Sequence, residues 1–237
     1  MAFEQTSKEV VLTTTEEIIN DQFQVQVATI QPFYKFMIFV VGILILAFGV
    51  ALTILSNSGT SPFDATLVGL SNRIGLTVGS WEIIISFIII FCNALLLRRR
   101  PEFLGLLTAF FTGFGIDLWL FLLRPLINPA NMISEIFWLC LGIIWISIGT
   151  AIYLRTKITP SPLDRLMLVI WEKFKLNILY SKTIVYAVFL LIAFIVGGPI
   201  GIGTILTTLL GGPVLNFFMN RIDDFINQRQ LKKLINR

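Results

Sequence analysis

Apolar residues gather in six runs along the chain, at about residues 36–55, 83–97, 103–123, 136–154, 183–196 and 204–219. A helix rises 1.5 Å per residue, so about 20 residues cover about 30 Å, one hydrocarbon thickness. The pattern therefore predicts six membrane-spanning helices, the second of them short. Two further stretches, Pro62 to about Ile74 and Pro162 to about Phe174, carry a helical period but are too short to cross. In the first, Phe63, Leu67, Leu70 and Ile74 fall at i, i+4, i+7 and i+11, one apolar stripe. Both stretches open with Ser-Pro-x-Asp. Ser61 and Ser161 are predicted N-caps, Pro62 and Pro162 occupy a position that needs no donor, and Asp64 and Asp164 suit the positive helix end. Each short helix is expected to lie along the membrane interface or to dip in and return.

Composition fits this pattern. The 237 residues are 56% apolar and only 14% charged, with a mean hydropathy of +0.85. A soluble protein would carry about 25% charged residues. The net charge of +4 is no nucleic-acid signature, because the basic residues sit between apolar runs. With six spans and a cytoplasmic N-terminus, only Arg73 and Arg124 of the 18 Lys and Arg fall outside, which predicts both termini inside. Residues 1–35 are mixed and acidic, unlike a signal peptide, and read as a cytoplasmic extension. Residues 223–237 form a basic cytoplasmic tail, expected to rest on the membrane as an amphipathic helix. Cys92 and Cys140 are expected to be small buried hydrophobes, and no metal or cofactor site is predicted. The absence of histidine removes the commonest general base and zinc ligand.

The chain repeats itself. At an offset of 100, Gly49 and Ala51 match Gly149 and Ala151, Ser61-Pro62 matches Ser161-Pro162, and Asp64 matches Asp164. Further on the offset is 98: Pro101, Gly105 and Gly113 match Pro199, Gly203 and Gly211, and Asp117 falls within a residue of Asn216. Residues 36–124 and 136–222 are thus two homologous membrane repeats. Three spans each is an odd number, so the second must enter from the opposite side. The predicted fold class is an all-α integral membrane protein of two inverted-topology three-helix repeats, each with a short capped helix. In such folds, corresponding short segments mark the binding site.

The motifs GTSPFD, GLTVGSW, PSPLD and GGPIGIGT, followed by a Gly-rich, Asn-containing last helix, resemble the YczE/YyaS/YitT group of bacterial membrane proteins, in particular its YczE-like branch. The resemblance covers about residues 36–222. It implies a multi-pass protein of the bacterial cytoplasmic membrane, of transporter type.

Candidate substrate-binding residues are Ser61, Pro62, Asp64, Ser161, Pro162, Asp164, Asp117, Asn93, Thr204 and Asn216. Asp64 and Asp164, with their serines, are either capping residues or groups lining a cavity for a cation, a proton or a polar headgroup. Asp117, well inside an apolar run, is costly there unless partnered, Arg124 being the structural candidate. Asn93 and Asn216 read as interhelical hydrogen-bonding residues or ligands. The expected function is a secondary carrier or flippase for a small or amphipathic substrate, with the lipid bilayer and a homo-oligomer or partner membrane protein as partners. A non-catalytic subunit of a larger complex is the alternative. An enzyme is not expected: the topology sets Asp64 and Asp164 on opposite membrane sides, which disfavours an aspartyl dyad.

Overall fold

The computed structural model describes residues 32–235, with side chains described as far as Asp223; the expectations for residues 1–31 and for the tail side chains lie outside the described residues. Among these residues eight helices follow in order: α1 Pro32–Leu55, α2 Pro62–Ile74, α3 Val78–Leu97, α4 Gly105–Leu123, α5 Met132–Arg155, α6 Pro162–Phe174, α7 Ile178–Val196 and α8 Ile202–Ile235. Among the described residues there is no strand. By length and composition, α1, α3, α4, α5, α7 and residues 202–223 of α8 can each cross a membrane. Residues 32–37 are the first turns of α1 and form a unit apart from residues 38–237.

The helix boundaries follow local chemistry. α2 and α6 start as their sequence predicts: Asp64 N donates to Ser61 Oγ at 3.2 Å and Asp164 N to Ser161 Oγ at 3.1 Å. The second and fifth spans begin at Val78 and Ile178, five residues earlier than hydropathy places them. Thr77 accepts from Ser80 N and Asn177 from Leu179 N, so each caps a polar first turn that the apolar pattern passes over. At the far end of α7, Gly197 closes the helix in the left-handed conformation. Cys92 and Cys140 are exposed on their helices rather than buried. In a span that turns one face to lipid, an exposed position suits a small apolar thiol as well as the core does.

α1 and α5 cross at small residues, and the crossing is reciprocal. A Cβ at Gly49 would lie 2.6 Å from the Gly142 carbonyl, and one at Gly149 would lie 2.6 Å from the Gly42 carbonyl. Gly42 faces Tyr153, and Gly142 faces Thr53, again one hundred positions apart. Such contacts let helix backbones approach closely.

Each short helix packs on the other repeat. α2 lies on α7, with Thr66 Oγ1 donating to the Phe189 carbonyl at 2.9 Å and Phe63 edge-on to Phe189. α6 lies on α3, where Asn93 Nδ2 donates to the Pro162 carbonyl at 3.3 Å. Their far ends are fastened alike: Arg73 donates to the Ile195 carbonyl at 2.6 Å and Lys173 to the Leu96 carbonyl at 2.8 Å. The core between them joins Ala47, Val50, Leu67, Ile116, Met167 and Phe189.

Candidate functional site

The two Ser-Pro-x-Asp turns converge on an acidic cluster. Glu82, one turn into α3, is 5% exposed and lies within electrostatic reach of both Asp64 and Asp164. Tyr186, on α7, feels the same two acids. Asp64 and Asp164 therefore share a neighbourhood, contrary to the separation expected from their opposite topological sides.

Each acid is also bonded at its cap. Ser61 Oγ donates to Asp64 Oδ2 at 2.6 Å, and Ser161 Oγ donates to Asp164 Oδ2 at 2.8 Å. Tyr153 adds its hydroxyl to Asp164 Oδ2 at 3.0 Å. These bonds make both acids capping residues. Asp64, outside the six spanning helices, has its carboxyl pushed up to about 6 by burial, against the opposing pull of the Ser61 and Thr60 hydroxyls. Among the described residues, Glu82 accepts one long bond, from Ser86 Oγ at 3.4 Å. The nearby cation is Lys182 on α7, which Asp164 influences and which stands over the Tyr186 ring at 5.2 Å. Lys182 lies one hundred positions after Glu82, so the repeat sets a base opposite an acid. Three carboxyls with spare acceptor capacity can hold a proton or an organic ammonium group. Among the described residues, no group of three or more His, Cys, Asp or Glu side chains is arranged to hold a metal ion.

The other candidates separate. Asp117 does not pair with Arg124. Its Oδ1 accepts from Gly79 N at 2.8 Å and its Oδ2 from Thr77 Oγ1 at 2.6 Å, so it caps α3 from α4. Thr204 is buried and accepts from Gly201 N at 3.2 Å, a turn-forming contact. Asn93 is an interhelical hydrogen-bonding residue, but its buried Oδ1 has no partner among the described residues, a loss of about 1–3 kcal/mol for a buried polar atom. Asn216 is exposed on α8, and its side chain has no hydrogen-bond partner among the described residues.

Matched residues of the repeats differ in their surroundings at the two ends of the bundle. At the end that carries Arg73 and Asp117, α4 packs along α3. A side chain on Gly79 would strike the Gly113 carbonyl, and one on Gly113 would come within 2.5 Å of the Gly79 carbonyl. There too Thr60 N reaches the Pro199 carbonyl, Gly203 N donates to the Ser58 carbonyl at 2.8 Å, and Gly59 abuts Gly201 and Gly203. At the arginine-rich end the matching contacts are looser: Thr108 Oγ1 donates to the Thr159 carbonyl at 3.4 Å, and an added Cβ at Gly105 would lie 3.2 Å from Pro162. Among the described residues, nothing lies within 4 Å of a Cβ added at Gly211, and Gly212 comes only as near as Lys182 Nζ, 4.0 Å from an added Cβ. α8 leans on α5 instead, where Arg155 pairs with Asp223 and donates to the Met219 carbonyl at 2.9 Å. Gly105, the counterpart of Gly203, borders a cavity.

Among the described residues, eight helices, six of them long and apolar enough to cross a membrane, define a multi-pass helical membrane protein. Residues 33–220 match the profile of a family described as a family of unknown function (DUF6198), and the chain belongs to that family. It is 55% identical over 185 residues to the uncharacterized protein YyaS of Bacillus subtilis, covering 78% of this chain and 92% of the relative. To the uncharacterized membrane protein YczE of the same organism it is 36% identical over 187 residues, 78% of this chain and 86% of the relative. A Haemophilus influenzae protein, also uncharacterized, is 28% identical over 182 residues, 75% of this chain and 80% of the relative. No solved structure matches the chain.

Proposed function

We propose that this protein is a secondary carrier or flippase in which two inverted repeats expose a shared acidic site alternately to the two sides of the membrane. The observation that carries this reading is the unequal packing of matched glycines. Gly79 and Gly113 are closed against each other at one end, while Gly211 stands open at the other. Two repeats of like sequence in unlike packing are what one state of an alternating pair requires. The reciprocal contacts of Gly42, Gly49, Gly142 and Gly149 support the inverted relation of the repeats. The charge asymmetry of the loops supports a cytoplasmic arginine-rich end, and so an inward-open state.

In this reading Asp64, Glu82 and Asp164 hold a cationic group or a coupling proton, and Lys182 competes for Asp164 when the site is empty. Pro213, inside α8, removes one helix hydrogen bond and gives that helix a place to bend as it closes on α7. A second reading, a subunit that docks a partner membrane protein, is favoured by the same unfilled face at Gly211 and Gly212, since small residues admit a neighbouring helix. Flux measured in liposomes that contain the purified protein alone decides between them. A carrier moves substrate or protons unaided; a silent protein that becomes active only with a partner abolishes the carrier reading.

A further inference from the structure

Two cavities share a wall at the arginine-rich end. The first is narrow, with about 30 Å³ of free space, and lies where α3, α4 and the start of α6 meet. Asn93, Arg99, Arg100, Glu102 and Arg165 supply its polar lining. The second is a wide groove of about 820 Å³ at the start of α4, lined by Phe103, Leu104, Leu107, Phe110 and Ile158. Glu102, Thr159 and Pro160 border both.

The narrow cavity asks for a particular chemistry. Asn93 is 8% exposed and borders it; its Nδ2 is committed to the Pro162 carbonyl, and its Oδ1 lacks a donor. A hydroxyl or amine hydrogen brought to that oxygen would satisfy it. The rim is positive: Arg165 is matched by Glu102 at 2.8 Å, Arg99 reaches Glu172 only at 3.7 Å, and Arg100 pairs with no carboxylate among the described residues. Guanidinium groups suit phosphate oxygens. Beyond the shared wall, the groove offers only aromatic and aliphatic surface apart from Glu102 and Thr159. Donor, anion and hydrocarbon are thus demanded in sequence along one path.

We propose that this end of the protein binds an anionic phospholipid with a hydroxylated headgroup, of the phosphatidylglycerol type. A headgroup hydroxyl donates to Asn93 Oδ1, the phosphodiester lies between Arg99 and Arg100, and an acyl chain follows the groove past Leu107 and Phe110. The seat goes beyond the carrier reading and does not rest on it, because a docking subunit would carry it equally well.

The test is lipid binding by the purified full chain, counted by native mass spectrometry on release from detergent. Phosphatidylglycerol, phosphatidylcholine of the same chains, and glycerol 3-phosphate are titrated separately. Phosphatidylglycerol should bind at least tenfold more tightly than phosphatidylcholine, which is zwitterionic and has no donor hydrogen. Glycerol 3-phosphate, without chains, should not bind over the same range. Arg99→Gln with Arg100→Gln should cost phosphatidylglycerol tenfold or more, while Lys175→Gln, an exposed cation at the same end, should change it less than twofold. Leu107→Trp should fill the groove and weaken both lipids without lowering the melting temperature. Equal binding of the two lipids, an equal loss in the Lys175 variant, or tight binding of glycerol 3-phosphate would each overturn the proposal. Because Arg99 and Arg100 are largely at the surface, their variants report even if an Asn93→Leu protein fails to fold.

Discussion

α2 and α6 begin with the same cap, the same proline and the same acid, yet they sit in different surroundings. On α2, Pro62 through Leu67 and Gly69 are buried; on α6 only Pro162, Met167 and Val169 are. Neither cap chemistry nor helix length accounts for the difference, since both are shared. What differs is the neighbour: the loop before α2 is sealed by Gly201 and Gly203, whereas the loop before α6 borders open space. Equal local structure can therefore carry unequal tertiary packing, and the packing is where the two ends of the molecule part.

The comparison can be broken most directly at its acids. Glu82→Gln, Asp64→Asn and Asp164→Asn should each lower flux in liposomes by tenfold or more while leaving membrane insertion and yield unchanged. Normal flux in all three would reduce the acids to caps and a buried polar residue. Next come the glycines. Gly113→Ala should destabilise by about 1–3 kcal/mol, the usual range for overpacking, because its Cβ meets backbone at 2.5 Å. Gly211→Ala should stabilise by about 0.5–1 kcal/mol, as Ala does in an unobstructed helix. Thermal melting in detergent reads both, and equal effects would erase the contrast between the ends.

Asp64 predicts a pH dependence. Its folded carboxyl titrates near 6 against an ordinary value of 3.8, so the native state binds the extra proton between those values. Stability is then greatest below about pH 4 and falls as pH rises through 6, by on the order of 3 kcal/mol at most, a slope that Asp64→Asn should flatten. The smallest change is expected at Asp117. Asp117→Ala removes a cap on α3 and should cost about 1 kcal/mol of stability. Asn216→Ala, at the matched but exposed position, should be nearly neutral in melting temperature.

Much of the architecture is legible in the sequence. The bounds of α2 and α6 were legible because Ser, Pro and Asp each act within one turn, and local chemistry needs no tertiary contact to be recognised. Glu82 was hidden for the opposite reason. Hydropathy places it at the edge of an apolar run, and only the Thr77 cap, which starts α3 at Val78, carries it inside the bundle. Its match with Lys182 at the repeat offset was the signal that could have found it. Asp117 lies in an apolar run as expected, but the sequence offered Arg124 as its partner, whereas the fold supplies Thr77 and Gly79 from another helix. The unequal ends were not legible at all, since Gly113 and Gly211 are the same letter in matched positions.

The two cationic fasteners, Arg73 on the Ile195 carbonyl and Lys173 on the Leu96 carbonyl, have a mechanical consequence. Each ties the tail of a short helix to a long helix of the opposite repeat, so the repeats are braided rather than laid side by side. In the proposed carrier, the pieces that shift as bodies would then be mixed sets of helices, α2 with α7 and α6 with α3, rather than the two halves of the chain.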